Sequence, residues 1–436
     1  MAVESVSMVA PRVWPARPAW TLADSAFVIF LLLIFVSLSP FATRDPVLLA
    51  AAPQSGAGDL LRELAYSCTF LLIGFSAIRA KGVMIFRAVP PSLGLLLLWC
   101  TLSAAWAPAP DVAFRRAVLE SLIVASVLLG SGALGVERSF ALLRGVLATV
   151  LLVNCVSILL VRNAVHLPGE IDPGLVGDWR GIYFHKNIAG AVSALTAILF
   201  FFQALRTRSV LNGALCIAAV GFTIMTRSKS SLALLAPAII FATGYRLAWQ
   251  NGINRAIAAV IVLLVATVAV ALLAAEWEQV SHALSDPGEL TGRTAIWQGE
   301  IAFIRDHFWL GAGFGSFSDT GGASLFRNYI ADTWVQNTSH GHNAYLQLLV
   351  TIGAIGFVLA IIAFVVAPLR EFWRIDPANL GSKTMLFALF VFMLPHNFVE
   401  SDFLEGDGPA WVVFLLMLAA LREFFVPGQS RMAVRP

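Results

Sequence analysis

Two of the seven histidines in this 436-residue chain, His340 and His342, stand directly before an apolar stretch that opens at Ala344. Imidazole titrates near neutrality, so a histidine at that position is suited to act as a general base. A satisfied interfacial histidine and a metal ligand are the competing uses. His-x-His supplies two donors, but no third ligand of recognisable spacing accompanies it. Basic residues cluster in three further places: Asp178-Trp179-Arg180 with His185-Lys186-Asn187, then Arg227-Ser228-Lys229, then Gly292-Arg293-Thr294. Arginine forks and lysine point charges bind anions, phosphates above all. The spacing of Trp297, Ile301, Ile304 and Phe308 predicts a helix with Thr291 as its N-cap. Arg293 then falls in the first turn, where backbone N–H groups also favour an anion. A plain cap beside a solvated arginine is the alternative for that segment.

The elements that hold these residues are apolar helices. The chain is 58% hydrophobic and 13% charged, against about 25% charged in a soluble domain. Stretches near the length of a membrane span, about 20 apolar residues, run near 22–40, 61–79, 90–107, 114–134, 140–161, 188–205, 209–226, 231–248, 256–275, 343–368, 384–399 and 409–425. The expected fold is therefore an all-α integral membrane protein of about twelve transmembrane helices. It forms one polytopic membrane domain over 1–436, with a large outer loop or cap over 276–342 that contains short helices.

An even count puts both termini on one side, and the bias of basic residues makes that side the cytoplasm. Seventeen of the 29 lysines and arginines then lie inside. The other 12 lie outside and include all three clusters. Snorkelling to the interface explains any one of them; three clusters on one face favour a shared site. Gly311-Ala-Gly313-Phe-Gly315 follows no strand and ends in no Gly-Lys-Ser/Thr. It reads as a turn returning the surface helix to the membrane, not as a nucleotide site. Glu400, Asp402, Glu405 and Asp407 read as a charged topology element in preference to a glycan-binding loop, and Glu120, inside a span, as the partner of Arg116. The four cysteines have no ligand spacing and indicate neither disulfides nor zinc. The modest charge of +3 suggests no nucleic-acid partner, and the N-terminus reads as a short cytoplasmic tail without a cleavable signal.

His342-Asn343, nine residues, then Gly353-Ala-Ile-Gly356 is similar to the HN-x9-GxxG pattern of the O-antigen ligase and polymerase superfamily. The Gly292–Trp297 segment and the Gly311–Gly315 turn resemble that family's preceding block in order and spacing. The Asp178–Asn187 and Arg227–Ser231 segments look like its exopolysaccharide polymerases, the succinoglycan type in particular. Phe357 stands where many ligases carry a small or hydroxyl residue, a departure that bears on the ligase subtype rather than the superfamily. The resemblance implies a metal-independent, cofactor-free, inverting glycosyltransferase of the bacterial inner membrane, with its active site facing the periplasm.

Its donor would be a glycan on undecaprenyl diphosphate. Arg180, Arg227 and Arg293 would then clamp the diphosphate as charge accumulates on it, and His342 would take the acceptor's proton. Lys186, His185, Asn187, Lys229, His340, Asn343 and Trp297 would line the substrate. The implied partners are the lipid bilayer, a glycan or lipid A–core acceptor, and a chain-length regulator. The function expected is polymerisation of lipid-linked repeats for exopolysaccharide or O-antigen. A ligase onto lipid A–core is the nearest rival, and a polytopic transporter the rival from another class.

Overall fold

In the computed structural model the described residues are 19–42, 44–45, 59–170, 173–250, 293–318, 320, 323–329, 341–374 and 379–423. They are almost wholly helical. The helices are α1 (Leu22–Val36), α2 (Leu60–Lys81), α3 (Pro91–Leu102), α4 (Pro110–Leu134), α5 (Val136–Leu160), α6 (Lys186–Thr207), α7 (Val210–Met225) and α8 (Lys229–Gln250). After them come α9 (Arg293–Asp306), α10 (Ala344–Ile361), α11 (Ala367–Trp373), α12 (Leu380–His396) and α13 (Pro409–Glu423). Among the described residues the only β-type pairing is one isolated bridge, Val165 to Trp179.

Among the described residues six helices are long and apolar enough to cross a membrane, and five more are apolar but shorter. Eleven of the twelve expected spans coincide with these helices; the twelfth, 256–275, lies outside the described residues. Local chemistry sets their ends. Thr21 and Asp24 close a capping box on α1, Asp59 caps α2, and prolines open α3 and α4 at the first turn, where no N–H bond is lost. Large apolar side chains such as Leu71, Leu159, Val210 and Ile217 point outward, as lipid-facing helices require. The centre is filled by α6, whose residues Ala189–Phe200 are all buried, and by Trp411 and its neighbours on α13.

The Gly311–Gly315 turn does return the chain from α9, and it does so by interlocking with α10. Ala312 N–H donates to the Val350 carbonyl at 2.8 Å, and Ala354 N–H donates to the Phe308 carbonyl at 2.8 Å. Gly353 breaks the helix at φ 64° to receive the turn, and a Cβ there would run into the Trp309 carbonyl. Gly311, itself at φ +67, would place a Cβ 2.7 Å from the Gly353 nitrogen. Only glycine supplies both the left-handed backbone and the close approach. The first glycine of the Gly353–Gly356 pair therefore docks the α9 segment onto the span that begins at His342-Asn343.

Candidate active site

The N-terminus of α6, the C-terminus of α7, the N-termini of α8 and α10 and the C-terminus of α12 meet at one end of the bundle. Contacts tie them together: Lys186 Nζ donates to the Arg227 carbonyl at 3.4 Å, and Ala344 N–H donates to the carbonyls of Asn397 and Glu400 at 2.9 and 3.0 Å. His185 caps α6 by accepting from Asn187 N–H at 3.1 Å. Asn343 caps α10 by accepting from Tyr345 and Leu346 N–H. Two expected site residues thus build the helix starts that hold their neighbours.

The centre of this region is Glu400. Its Oε1 accepts from Asn187 Nδ2 at 2.7 Å and from Arg293 Nη2 at 2.8 Å, and its Oε2 accepts from His342 Nδ1 at 3.3 Å. Three distant parts of the chain converge on one carboxylate that is only 9% exposed. Burial alone would raise that carboxyl, but the hydrogen bond and charge of His342, with Arg293 and His396 behind it, hold it down at about 2. With Glu400 as acceptor, the His342 proton sits on Nδ1 and the lone pair on Nε2, the tautomer a general base needs.

Helix α9 presents Arg293, Trp297 and Glu300 at spacings of four and three, one face of a helix. Trp297 Nε1 donates to the Gly341 carbonyl at 2.8 Å, and Glu300 packs so closely that any side chain at Gly341 would meet its carboxyl. The turn so held keeps His342 at φ +50, a backbone region that costs a non-glycine residue energy unless its surroundings impose it. Glu300 is itself buried, and among the described residues its Oε2 has no hydrogen-bond partner. Burial pushes its carboxyl up to about 8.

A second group surrounds Asp178, which accepts from Lys186 Nζ at 2.6 Å and from Arg227 Nη1 at 3.2 Å. Arg227 is otherwise exposed and left-handed at φ 51°. Lys229 opens α8 directly beside it.

Arg180 departs from the expected diphosphate clamp. Its side chain is fully buried, and its guanidinium donates to the carbonyls of Asn163, Ala42 and Phe184 and to Glu170 Oε1 at 3.2 Å. These bonds aim the group at the backbone on either side of α6's start and at Ala42 beyond α1. His166 belongs to the same core: its Nδ1 pairs with Glu170 at 2.7 Å, its Nε2 accepts from Lys186 N–H at 3.3 Å, and its ring meets that of His185 edge-on at 5.5 Å. Burial foremost, then the charge of Arg44, holds His185 well below the usual histidine range.

Other expectations are also revised. Glu120 pairs not with Arg116 but with Trp411 Nε1 and Gly406 N–H, both at 2.7 Å, while Arg116 donates to the Gly315 carbonyl. Glu400 is no mere topology charge, and Asp402 binds His396 Nδ1 at 2.7 Å, fixing the loop between them. His396 Nε2 in turn shares a hydrogen bond with Ser231 Oγ at 3.2 Å. Sequence reasoning missed Glu400, Asp178 as a shared counterion, and Glu170. His340 and Thr291 lie outside the described residues. Among the described residues no three His, Cys, Asp or Glu side chains are grouped to hold a metal.

Residues 214–361 match a family model described as O-antigen ligase. That range takes in Arg227, Lys229, Arg293 and His342, but neither Arg180–Asn187 nor Glu400. No curated protein matches the chain.

Proposed function

The chain belongs to the O-antigen ligase and polymerase superfamily, and from that premise we propose that it joins glycans carried on undecaprenyl diphosphate at the outer face of the bacterial inner membrane. The acceptor hydroxyl attacks the anomeric carbon from the face opposite the diphosphate. A new C–O bond forms as the bond to the phosphate oxygen breaks, and its electron pair leaves with the lipid diphosphate. His342 takes the acceptor's proton on Nε2, while Glu400 holds the ring through Nδ1 and stabilises the imidazolium. Arg293, assisted by Arg227, Lys186 and Lys229, meets the negative charge that grows on the leaving group. Arg180 serves as a positioning residue beneath the α6 N-terminus.

The observation that carries this reading is the shared carboxylate. A base and a phosphate-binding arginine, 49 residues apart in the chain, are fixed to each other through Glu400. A polymerase that extends lipid-linked repeats is the form we favour, with both termini cytoplasmic, and a chain-length regulator fits as its partner. Transfer to lipid A–core is the second reading, favoured by the description of the matched family. Purified protein supplied with a defined lipid-linked repeat separates them: longer chains without lipid A–core mean a polymerase, and product only when lipid A–core is added means a ligase. A folded His342→Ala protein that still assembles glycan at the full rate overturns the transfer reading altogether.

A further inference from the structure

Lys186 and Arg227, two of the cations assigned to the leaving diphosphate, share one carboxylate. Asp178 Oδ2 accepts from Lys186 Nζ at 2.6 Å, and Oδ1 accepts from Arg227 Nη1 at 3.2 Å. The position of Asp178 does not depend on these two bonds. Its N–H donates to the Leu175 carbonyl at 2.9 Å, its carbonyl accepts from His166 N–H at 3.0 Å, and Trp179 N–H ties the next residue to the Met225 carbonyl at 3.2 Å. The Asp178 side chain is 3% exposed, against 15% for Lys186 and 73% for Arg227. A fixed negative charge therefore lies on the inner side of two cations that reach outward from it.

Both cations keep donors to spare. Among the described residues Arg227 engages Nη1 alone, and Lys186 Nζ, with three N–H groups, has only the Arg227 carbonyl at 3.4 Å besides Asp178. A phosphate can join them while Asp178 stays in place. Two cations against one carboxylate leave one positive charge in surplus, and Lys186 opens α6, where backbone N–H groups add to it. The group attracts anions, and Asp178 sets how strongly. Glu400 is bound to the base His342, whereas Asp178 meets only cations and stands apart from the proton transfer.

That strength matters because transfer changes the charge of the ligand. A glycosyl diphosphate ester carries two negative charges. When its anomeric C–O bond breaks, the electron pair stays on the phosphate oxygen, and the spent carrier gains a third charge, ionised above about pH 6 as in other phosphate monoesters. Cations alone would hold the product more tightly than the donor. A fixed carboxylate repels each ligand charge, so it weakens the hold on the product most.

We propose that Asp178 is a specificity residue whose fixed charge loosens the grip of Lys186 and Arg227 on the spent lipid diphosphate in favour of the less charged donor. The proposal rests on the transfer reading. The test measures Kd on the full chain in lipid nanodiscs for two probes: undecaprenyl diphosphate, and its methyl ester, which caps the terminal oxygen, carries one charge fewer and has no sugar to transfer. Taking about threefold per ligand charge, the order of a partly exposed ion pair, Asp178→Asn should bind the ester about tenfold and the free diphosphate about thirtyfold more tightly. Product inhibition of steady-state transfer should set in at correspondingly lower concentration. A purely structural Asp178 gives the opposite sign, since loosened cations would bind both probes more weakly. Unchanged or weaker binding, or equal tightening for both probes, overturns the proposal. Asp178→Ser repeats the comparison in a smaller side chain. Difference infrared spectra of wild-type protein labelled with 13C-aspartate, with and without undecaprenyl diphosphate, need no variant to fold. An aspartate carboxylate band should move as the cations are shared, and the absence of any labelled band overturns the proposal as well. A wild-type protein that binds neither probe brings down the diphosphate clamp of the transfer reading; one that binds both, with variants that do not discriminate, brings down the role of Asp178 alone.

Discussion

Replacing Glu400 by glutamine keeps the shape of the side chain and removes the charge that His342 and Arg293 share. A carboxyl that would ordinarily titrate at 4.5 is held at about 2. That difference corresponds to about 3 kcal/mol of interaction favouring the ionised form. The interaction is spread over the hydrogen bond and charge of His342 and the charges of Arg293 and His396. The sign is that of a depressed carboxylate: the contribution is complete above pH 4.5 and is lost as pH falls from there toward 2. At neutral pH, where His342 is the neutral base, the part that acts on the site is the hydrogen bond to His342 and the charge of Arg293. Since about 1.4 kcal/mol is a factor of ten, Glu400→Gln should lower kcat of glycan transfer by about 10²-fold, with the protein still folded. The assay is single-turnover transfer from a synthetic lipid-linked repeat in nanodiscs. Because the two residues act as one unit, the double variant Glu400→Gln/His342→Ala should be no slower than His342→Ala alone. A Glu400→Gln protein within about threefold of wild type, or losses that multiply in the double variant, would refute this account of the shared carboxylate.

Two further substitutions probe how the site is held. Gly353→Ala forces a Cβ into the Trp309 carbonyl at a left-handed position, so it should cost about 3 kcal/mol or more and lower kcat by shifting α9 against His342. Gly145→Ala, which meets nothing within 4 Å, is the control, and equal melting temperatures for the two would count against the interlock. Glu300 carries a raised carboxyl at about 8, so the wild-type fold should lose stability as pH climbs from the ordinary value of 4.5 toward 8. Glu300→Gln should remove that slope and gain about 3 kcal/mol at neutral pH. An unchanged slope in the variant's thermal unfolding would show that Glu300 is ionised and paired.

The helices were legible because length and composition alone make a span: lipid accepts only helices with every backbone group bonded internally, so apolar stretches announce themselves one at a time. Eleven of the twelve expected stretches have helices to match them. Arg293 and His342 were legible as well, one at a helix start and the other in a spaced motif beside Gly353 and Gly356. Glu400 was not, because a carboxylate after a span looks the same whether it marks topology or binds a histidine 58 residues earlier. Arg180 carries the opposite lesson. Its neighbours Asp178 and Lys186 made it look like part of an anion site, yet the three carbonyls and the Glu170 that absorb its donors come from loop backbone and from a residue with no motif. Glu120 found its partners on α13 and the preceding loop, almost three hundred residues away, and not one turn along its own helix.

Sequence by itself therefore determined a bundle of apolar helices and the kinds of charged group gathered at their ends, since both follow from local composition and spacing. Tertiary structure decided which of those groups point at one another. Hydrogen bonds of under 3.5 Å are set by how helices distant in sequence cross, and the Gly311–Gly353 interlock that sets the crossing of α9 and α10 is a matter of backbone against backbone. The same sequence of residue types is compatible with Arg180 facing a ligand or facing a loop. Only the carbonyls of Ala42, Asn163 and Phe184 together with Glu170 turn it inward, and only the return of the chain after α12 brings Glu400 between the base and the arginine.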